Sequence, residues 1–142
     1  MSETLRQKQS RFVRYIGLLI EFAYQNGYEL TFADGARSDE QAEINALGHA
    51  GRSRLVRELA KFVEFTQLAR CISNNTGSGI RTSLHNERLA QDFNLFKNGH
   101  YLASTEAHRQ LGEYWEGLAP DCRWGGRFGD GNHYSLEHQG RK

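Results

Sequence analysis

The chain has 142 residues, the length of one ordinary domain, and its 38% hydrophobic and 25% charged content is that of a protein folding around a single core. Eighteen basic residues against seventeen acidic ones leave a formal net charge of +1, which argues against a dedicated nucleic-acid binder. One proline and no low-complexity tract leave no place for a flexible linker, and the most apolar run, residues 15–20, ends at Glu21, far short of the roughly 20 residues a membrane span requires.

That run has no small-residue cleavage site behind it. The expectation is one domain over residues 1–142, without stable membrane insertion, kept in the cytoplasm until something else releases it. Residues 4–26 read as an amphipathic helix: Phe12, Ile16, Leu19, Ile20 and Ala23 recur at three- and four-residue spacing, with Arg11, Arg14 and Glu21 elsewhere on the wheel. Asn26-Gly27 stops it, and residues 28–32 alternate as a short strand. Ser38 followed by Gln41 is a capping-box pattern that opens a helix through about Leu47, broken by residues 48–51. A second helix follows, with Leu55, Leu59, Phe62, Val63 and Leu68 along one side. Its basic cluster, Arg52, Arg54, Arg57 and Lys61, reads as a solvated face.

Residues 74–79 are a loop, given their density of turn formers. Residues 88–96 read as a strand, and Lys97-Asn98-Gly99 as a hairpin turn, because Asn-Gly tolerates the positive φ that such turns need. Another helix covers 104–118, and closing strands cover 122–128 and 133–137. Helices first and an antiparallel sheet after them make an α+β protein. Cys71 and Cys122 lack CxxC spacing and read as buried free thiols.

A catalytic metal site needs three protein ligands and one open position, so the histidines decide where chemistry can sit. Two segments stand out: Ser83-Leu84-His85 with Asp92 seven residues on, and Asp130-Gly131-Asn132-His133. A His-to-acid pair at any one offset arises about 0.7 times by chance in this composition, so spacing alone is weak. An offset of seven is odd and would put the two side chains on opposite faces of one strand. His85 must therefore lie in the turn before the strand if it and Asp92 are to meet. Glycines 125, 126, 129 and 131 point to a tight turn that sets His133 at a strand start. His49, His100, His108 and His138 read as surface or capping residues, Trp115 and Trp124 as core or pocket wall, and Glu137 as an exposed or supporting strand residue.

These segments resemble the zinc D-Ala-D-Ala carboxypeptidases and L-alanyl-D-glutamate endopeptidases, a family that shares its fold with the hedgehog signalling domain and includes many phage endolysins. The family pattern appears in order as Gly35-Ala36-Arg37-Ser38 with Gln41, Ser83-Leu84-His85 with Asp92, and Asp130 with His133. The stretch Trp124-Gly125-Gly126 is also similar, and the resemblance covers residues 28–137. Where the wider family often has Gly three residues after its first ligand, this chain has Arg88. Residues 48–79 form a longer stretch than in compact members.

The resemblance implies a hedgehog-like α+β fold, a small antiparallel sheet packed with helices, and a Zn²⁺ ion held by His85, Asp92 and His133. It implies Asp130 as general base, Arg37 as the group that meets the oxyanion or a substrate carboxylate, and Ser83 and Gln41 as substrate-binding or supporting residues. The activity it implies is a peptidoglycan endopeptidase of the endolysin type, cutting a stem-peptide bond such as L-Ala-D-Glu for host cell lysis. Such an enzyme would be a monomer that waits in the host cytoplasm and acts on the cell wall from the periplasm. A D-Ala-D-Ala carboxypeptidase or dipeptidase shares every ligand and is the alternative. A non-catalytic zinc domain that binds the wall is a second class, against which Asp130 speaks, since a purely structural site has no use for a base. A nucleic-acid-binding helical protein rests only on the basic residues 52–61.

Overall fold

The first helix is fixed at its start by side chains. In the computed structural model, which describes residues 2–74 and 83–142, Thr4 caps α1 (Leu5–Gln25) and closes a capping box. Its hydroxyl accepts from the Gln7 amide, while Gln7 Oε1 accepts from the Thr4 amide at 2.9 Å. Asn26 and a left-handed Gly27 (φ 75°) end the helix and turn the chain into β1 (Glu29–Phe32). Phe12, Leu19 and Ala23 line the buried face of α1.

The sheet is antiparallel throughout. Its path runs β1, β2 (Ala90–Lys97), β5 (His133–Leu136), β4 (Cys122–Trp124), with the short β3 (His100–Tyr101) paired to the end of β2. Asn98 (φ 51°) and Gly99 (φ 75°) both take positive φ in the β2–β3 hairpin, as Asn-Gly permits. Helix α5 (Arg109–Leu118) packs on α1 and β4. The core between them holds Phe12, Leu19, Leu89, Phe93, Leu95, Leu111, Trp115, Tyr134 and Leu136. Trp115 stands edge-on to Phe12 and Tyr134 and donates its Nε1–H to the carbonyl of Ser135 at 3.0 Å, so its one polar atom is satisfied.

The structure departs from the sequence reading mostly between 39 and 74. Helix α2 (Asp39–Ala46) is capped by Ser38, whose hydroxyl accepts from the Gln41 amide at 3.1 Å. The break then falls at Leu47 alone; Gly48 opens α3 (Gly48–Leu59) and Gly51 lies inside it. The expected second helix is two. Phe62 is extended (φ −121°, ψ 125°), a 3-10 turn covers Val63–Phe65, and α4 (Thr66–Ser73) folds back on α3. Packing outweighs periodicity here, because reversal buries Ala69 and Ile72, which a straight helix would carry away from the protein. Arg52 is buried and donates toward the carbonyls of Ile44 and Asn45, so it does not belong to a solvated face. Cys71 is exposed on α4; Cys122 is buried, and burial raises its thiol to about 12.

At the C-terminal end the expected helix over 104–118 begins as a 3-10 turn, Glu106–His108, before α5, and the expected strand over 122–128 stops at Trp124. His108 is not a surface residue: it is buried with Nδ1 3.0 Å from the Tyr134 hydroxyl, and desolvation lowers its pKa. The loop expected over 74–79 lies, from residue 75 on, outside the described residues. No described helix is long and apolar enough to cross a membrane.

A charged cluster ties the ends of the fold together. Arg11 bonds both Asp121 oxygens, at 2.9 and 2.8 Å, and Lys8 Nζ lies 3.2 Å from Asp121 Oδ2. The bonds from Arg11 hold the Asp121 carboxyl at about 2, against a smaller upward push from burial. A carboxylate depressed on folding stabilises above its unfolded pKa, and that stability is lost as pH falls through the folded value. Asp121→Asn is therefore expected to lower stability by about 1 kcal/mol at pH 7 in denaturant titration. The difference from wild type shrinks as pH drops from about 4 toward 2.

Candidate metal centre

Strand register makes the site. In the β2–β5 pairing Asp92 stands directly opposite His133. Directly opposed residues have Cβ atoms about 4.5–5.5 Å apart, so a carboxylate and an imidazole can touch. His133 Nδ1 lies 2.9 Å from Asp92 Oδ1. Neighbouring Phe93 points into the core, so alternation sends Asp92 to the sheet face away from α1 and α5.

His85 comes from a turn over residues 84–88, as the odd offset requires. Arg88 N donates to His85 O at 3.2 Å and Leu89 N to Leu84 O at 2.9 Å, so the turn closes onto the start of β2. Ser83 Oγ accepts from the His85 amide at 3.2 Å, which holds the ligand's backbone. Arg88 sits in the left-handed region (φ 55°). A side chain in this region costs roughly 1 kcal/mol of steric strain that a glycine would avoid.

The ring of His85 is oriented from behind. Its Nδ1 lies 2.7 Å from the carbonyl of Gly35, which can only accept, so Nδ1 carries the hydrogen. A neutral His85 then aims the bare lone pair of Nε2 at Asp92 Oδ1, 3.3 Å away. Lone pair facing lone pair is repulsive unless a proton or a metal cation lies between. His85, Asp92 and His133 each offer one ligand atom, and these lie within 4.8 Å of one another. Ligands set tetrahedrally at 2.0–2.1 Å from an ion are roughly 3.3 Å apart, so the three fit a Zn²⁺-type centre. Two imidazoles and one carboxylate leave a fourth position for water or substrate. Burial pushes the Asp92 carboxyl up, but the neighbouring imidazoles of His133 and His85 outweigh it and hold it at about 2.

The other expected residues are placed unevenly around this centre. Asp130 is exposed in the loop before β5, with its amide on Gly125 O (2.9 Å) and its carbonyl accepting from the His133 amide (3.2 Å). Arg37 follows β1 and hydrogen-bonds through its backbone amide to His85 O at 3.2 Å. Its side chain is only 8% exposed and pairs with Asp34; its Nε has no partner among the described residues. Gln41 donates to Asn45 at 2.7 Å and not to Arg37. Glu137 pairs with Arg123.

Three supporting features were not read from the sequence. Gly35 contributes its carbonyl to the His85 ring. Phe128 is exposed with its ring 6.5 Å from that of His133, and forms a wall beside the centre. Asn86, next to His85, donates to Asp39 at 2.8 Å and ties the ligand turn to the start of α2. A carbonyl partner and a non-polar wall leave no residue-type signal, so only coordinates reveal the first two. Trp124 donates Nε1–H to the Gly131 carbonyl at 2.8 Å and clamps the 125–131 loop.

No protein-family model and no curated protein sequence matches this chain. Among the solved structures that align with it are two at 22% identity. One is a mutant of the vancomycin-resistance D,D-pentapeptidase VanY from a VanB-type resistance cassette, in complex with Zn(II), with a TM-score of 0.48 over 89% of this chain and 70% of that one. The other is VanYB in complex with D-Alanine-D-Alanine, with a TM-score of 0.46 over 89% of this chain and 69% of that one.

Close packing around Gly125 makes the centre testable without touching a ligand. A Cβ at 125 would fall 2.3 Å from Asp130 O and 2.8 Å from His133 Cβ. Gly125→Ala is expected to weaken Zn²⁺ binding by roughly 10- to 100-fold in a competition titration with a chromogenic chelator. Arg88→Gly tests the strained turn: its unfolding free energy should be no lower than wild type, whereas the β-branched Arg88→Val should lose about 1 kcal/mol in denaturant titration.

Proposed function

We propose that this chain is a zinc-dependent peptidase of peptidoglycan stem peptides. The observation that carries the reading is the three-ligand cluster of His85, Asp92 and His133 with an exposed carboxylate, Asp130, three residues before the last ligand. A structural metal site has four protein ligands and no neighbouring base; a hydrolytic one keeps a position open and a base beside it.

When bound, zinc supplies Lewis-acid polarisation of the scissile carbonyl and a water acidic enough to lose a proton near neutral pH. The chain's own residues do the rest. Asp130 takes the proton of the attacking water and returns it to the leaving amine. Its backbone bonds to Gly125 and His133 keep the carboxylate-bearing loop in step with the ligands. Arg37 supplies a fixed cation; Asp34 holds its guanidinium, and a substrate carboxylate can share the fork. Phe128 gives an apolar wall against which the substrate's side chains pack.

An arginine clamp selects a bond followed by a residue with a free α-carboxylate. Two stem-peptide bonds meet that condition. D-Ala-D-Ala ends in one, and D-Glu after L-Ala keeps its α-carboxylate because the chain continues through its γ-carboxyl. We place the D-Ala-D-Ala carboxypeptidase first, because the nine-tenths-buried side chain of Arg37 suits a chain end. The L-Ala-D-Glu cut, made by a phage-type lysis enzyme reaching the wall from the host cytoplasm, is the second reading. It is favoured by the exposed flank at Phe128 and Asp130, which leaves room for a chain that runs on.

The deciding assay is digestion of purified peptidoglycan and of a free pentapeptide, read by mass spectrometry, with zinc-loaded, chelated and zinc-restored protein. Product is expected only with zinc. Asp130→Asn should retain zinc and lose roughly 10²- to 10⁴-fold in kcat. Release of single D-alanines selects the first bond, and cleavage after L-Ala selects the second. A zinc-loaded protein that yields neither product overturns the proposal in favour of a binding-only zinc domain.

A further inference from the structure

The helices between Arg37 and Asn74 stand apart from the main core, which takes none of its residues from α2, α3 or α4. Their apolar side chains are only partly used. Ala42, Ala69 and Ile72 are buried, but Leu47, Phe62, Phe65 and Leu68 are exposed, and Val63 at the tip of the α3–α4 hairpin is 89% exposed. Phe62 and Phe65 stand edge to face, 6.0 Å apart, and both remain exposed. A shallow groove along α3 continues the surface, lined by Leu47, Gly51, Arg54, Leu55 and Glu58. Five exposed large hydrophobics within residues 47–68 exceed the scattered single residues that ordinary surfaces carry.

Charge says what covers this surface. Residues 47–70 hold five basic side chains (Arg52, Arg54, Arg57, Lys61, Arg70) against two acidic ones (Glu58, Glu64), whereas the rest of the chain holds thirteen against fifteen. Arg54, Arg57 and Arg70 make no ion pair among the described residues, and Lys61 pairs only with Glu58. A second copy of the chain would bring the same cations face to face, and a polar glycan gives Val63 and the phenylalanines nowhere to go. Aromatic and aliphatic tips flanked by unpaired cations match one surface, an anionic phospholipid interface. There the apolar side chains enter the acyl boundary and the arginines meet lipid phosphates.

We infer that the α3–α4 hairpin is a peripheral docking site for an anionic lipid bilayer, with Phe62, Val63, Phe65 and Leu68 entering the interface and Arg54, Arg57 and Arg70 on the headgroups. None of these residues touches the metal centre, so the inference stands or falls apart from the proposed activity.

The test is vesicle flotation with full-length, zinc-loaded protein. Vesicles of phosphatidylglycerol with phosphatidylethanolamine are compared with pure phosphatidylcholine, at low and high salt. Binding is expected to the anionic vesicles only, weakening as salt rises. Phe62→Ser combined with Val63→Asp, and separately Arg54→Glu combined with Arg57→Glu, should each reduce partitioning by roughly tenfold or more. Both variants should keep the wild-type melting temperature and zinc content. If a variant does not fold, the lipid-charge and salt dependence of the wild type still decides. No binding to anionic vesicles, equal binding to phosphatidylcholine, or unchanged binding by folded variants overturns the inference. So does sedimentation showing a dimer that Val63→Asp dissolves, which would make the surface a contact between copies.

Discussion

The register between β2 and β5 governs the rest of the site. With Asp92 opposite His133, a carboxylate and an imidazole share one face of the sheet, and Phe93 and Tyr134 share the other, where Tyr134 stands between Phe93 and Trp115 as ring partner to both. A slip of one residue would invert both sets, exposing Phe93 and driving Asp92 into the core. Burial of a large aromatic is worth about 2–3 kcal/mol, and an unpaired buried carboxylate costs more than that, so the core enforces the geometry that the metal centre needs. Packing and chemistry are two faces of one constraint.

His85 and Asp130 sit on a turn and a loop, which need their own anchors. His85 is held by Gly35 O behind its ring and by Ser83 Oγ at its amide. The loop carrying Asp130 is held by Trp124, whose ring leaves no room for a side chain at Gly112 or Gly126 and whose Nε1–H bonds Gly131 O. A ring used this way transmits the rigidity of the core to the site. It also explains why Trp124 is buried although it lies only six residues before Asp130.

Much of the site was legible because its residues carry chemistry in their identities. The odd offset between His85 and Asp92 forced a turn between them, and the glycines before His133 forced a tight loop; both follow from the period of a strand and from φ limits. The helices at either end were legible for a similar reason, since Thr4 with Gln7, and Asn26 with Gly27, are local signals. What periodicity missed was decided by long-range packing. Leu55, Leu59 and Phe62 have helical spacing, yet the chain turns at Phe62 so that Ala69 and Ile72 can be covered by α3. Arg52 and His108 looked like surface residues because nothing local shows that the Asn45 carbonyl or the Tyr134 hydroxyl will lie beside them.

The arrangement around Asp92 also links folding to the ion. Two imidazole nitrogens converge on one carboxylate oxygen, at 3.3 and 2.9 Å, and one of them has its hydrogen committed to the opposite side of the ring. Without a cation, the folded protein must place a proton there or tolerate facing lone pairs; the unfolded chain has no such conflict. A divalent ion removes the conflict only in the folded state, because only there do residues 85, 92 and 133 meet. Its binding energy therefore adds to stability by mass action. Core packing sets the strand register that brings residues 85, 92 and 133 together, and a bound ion would add to the stability of that arrangement.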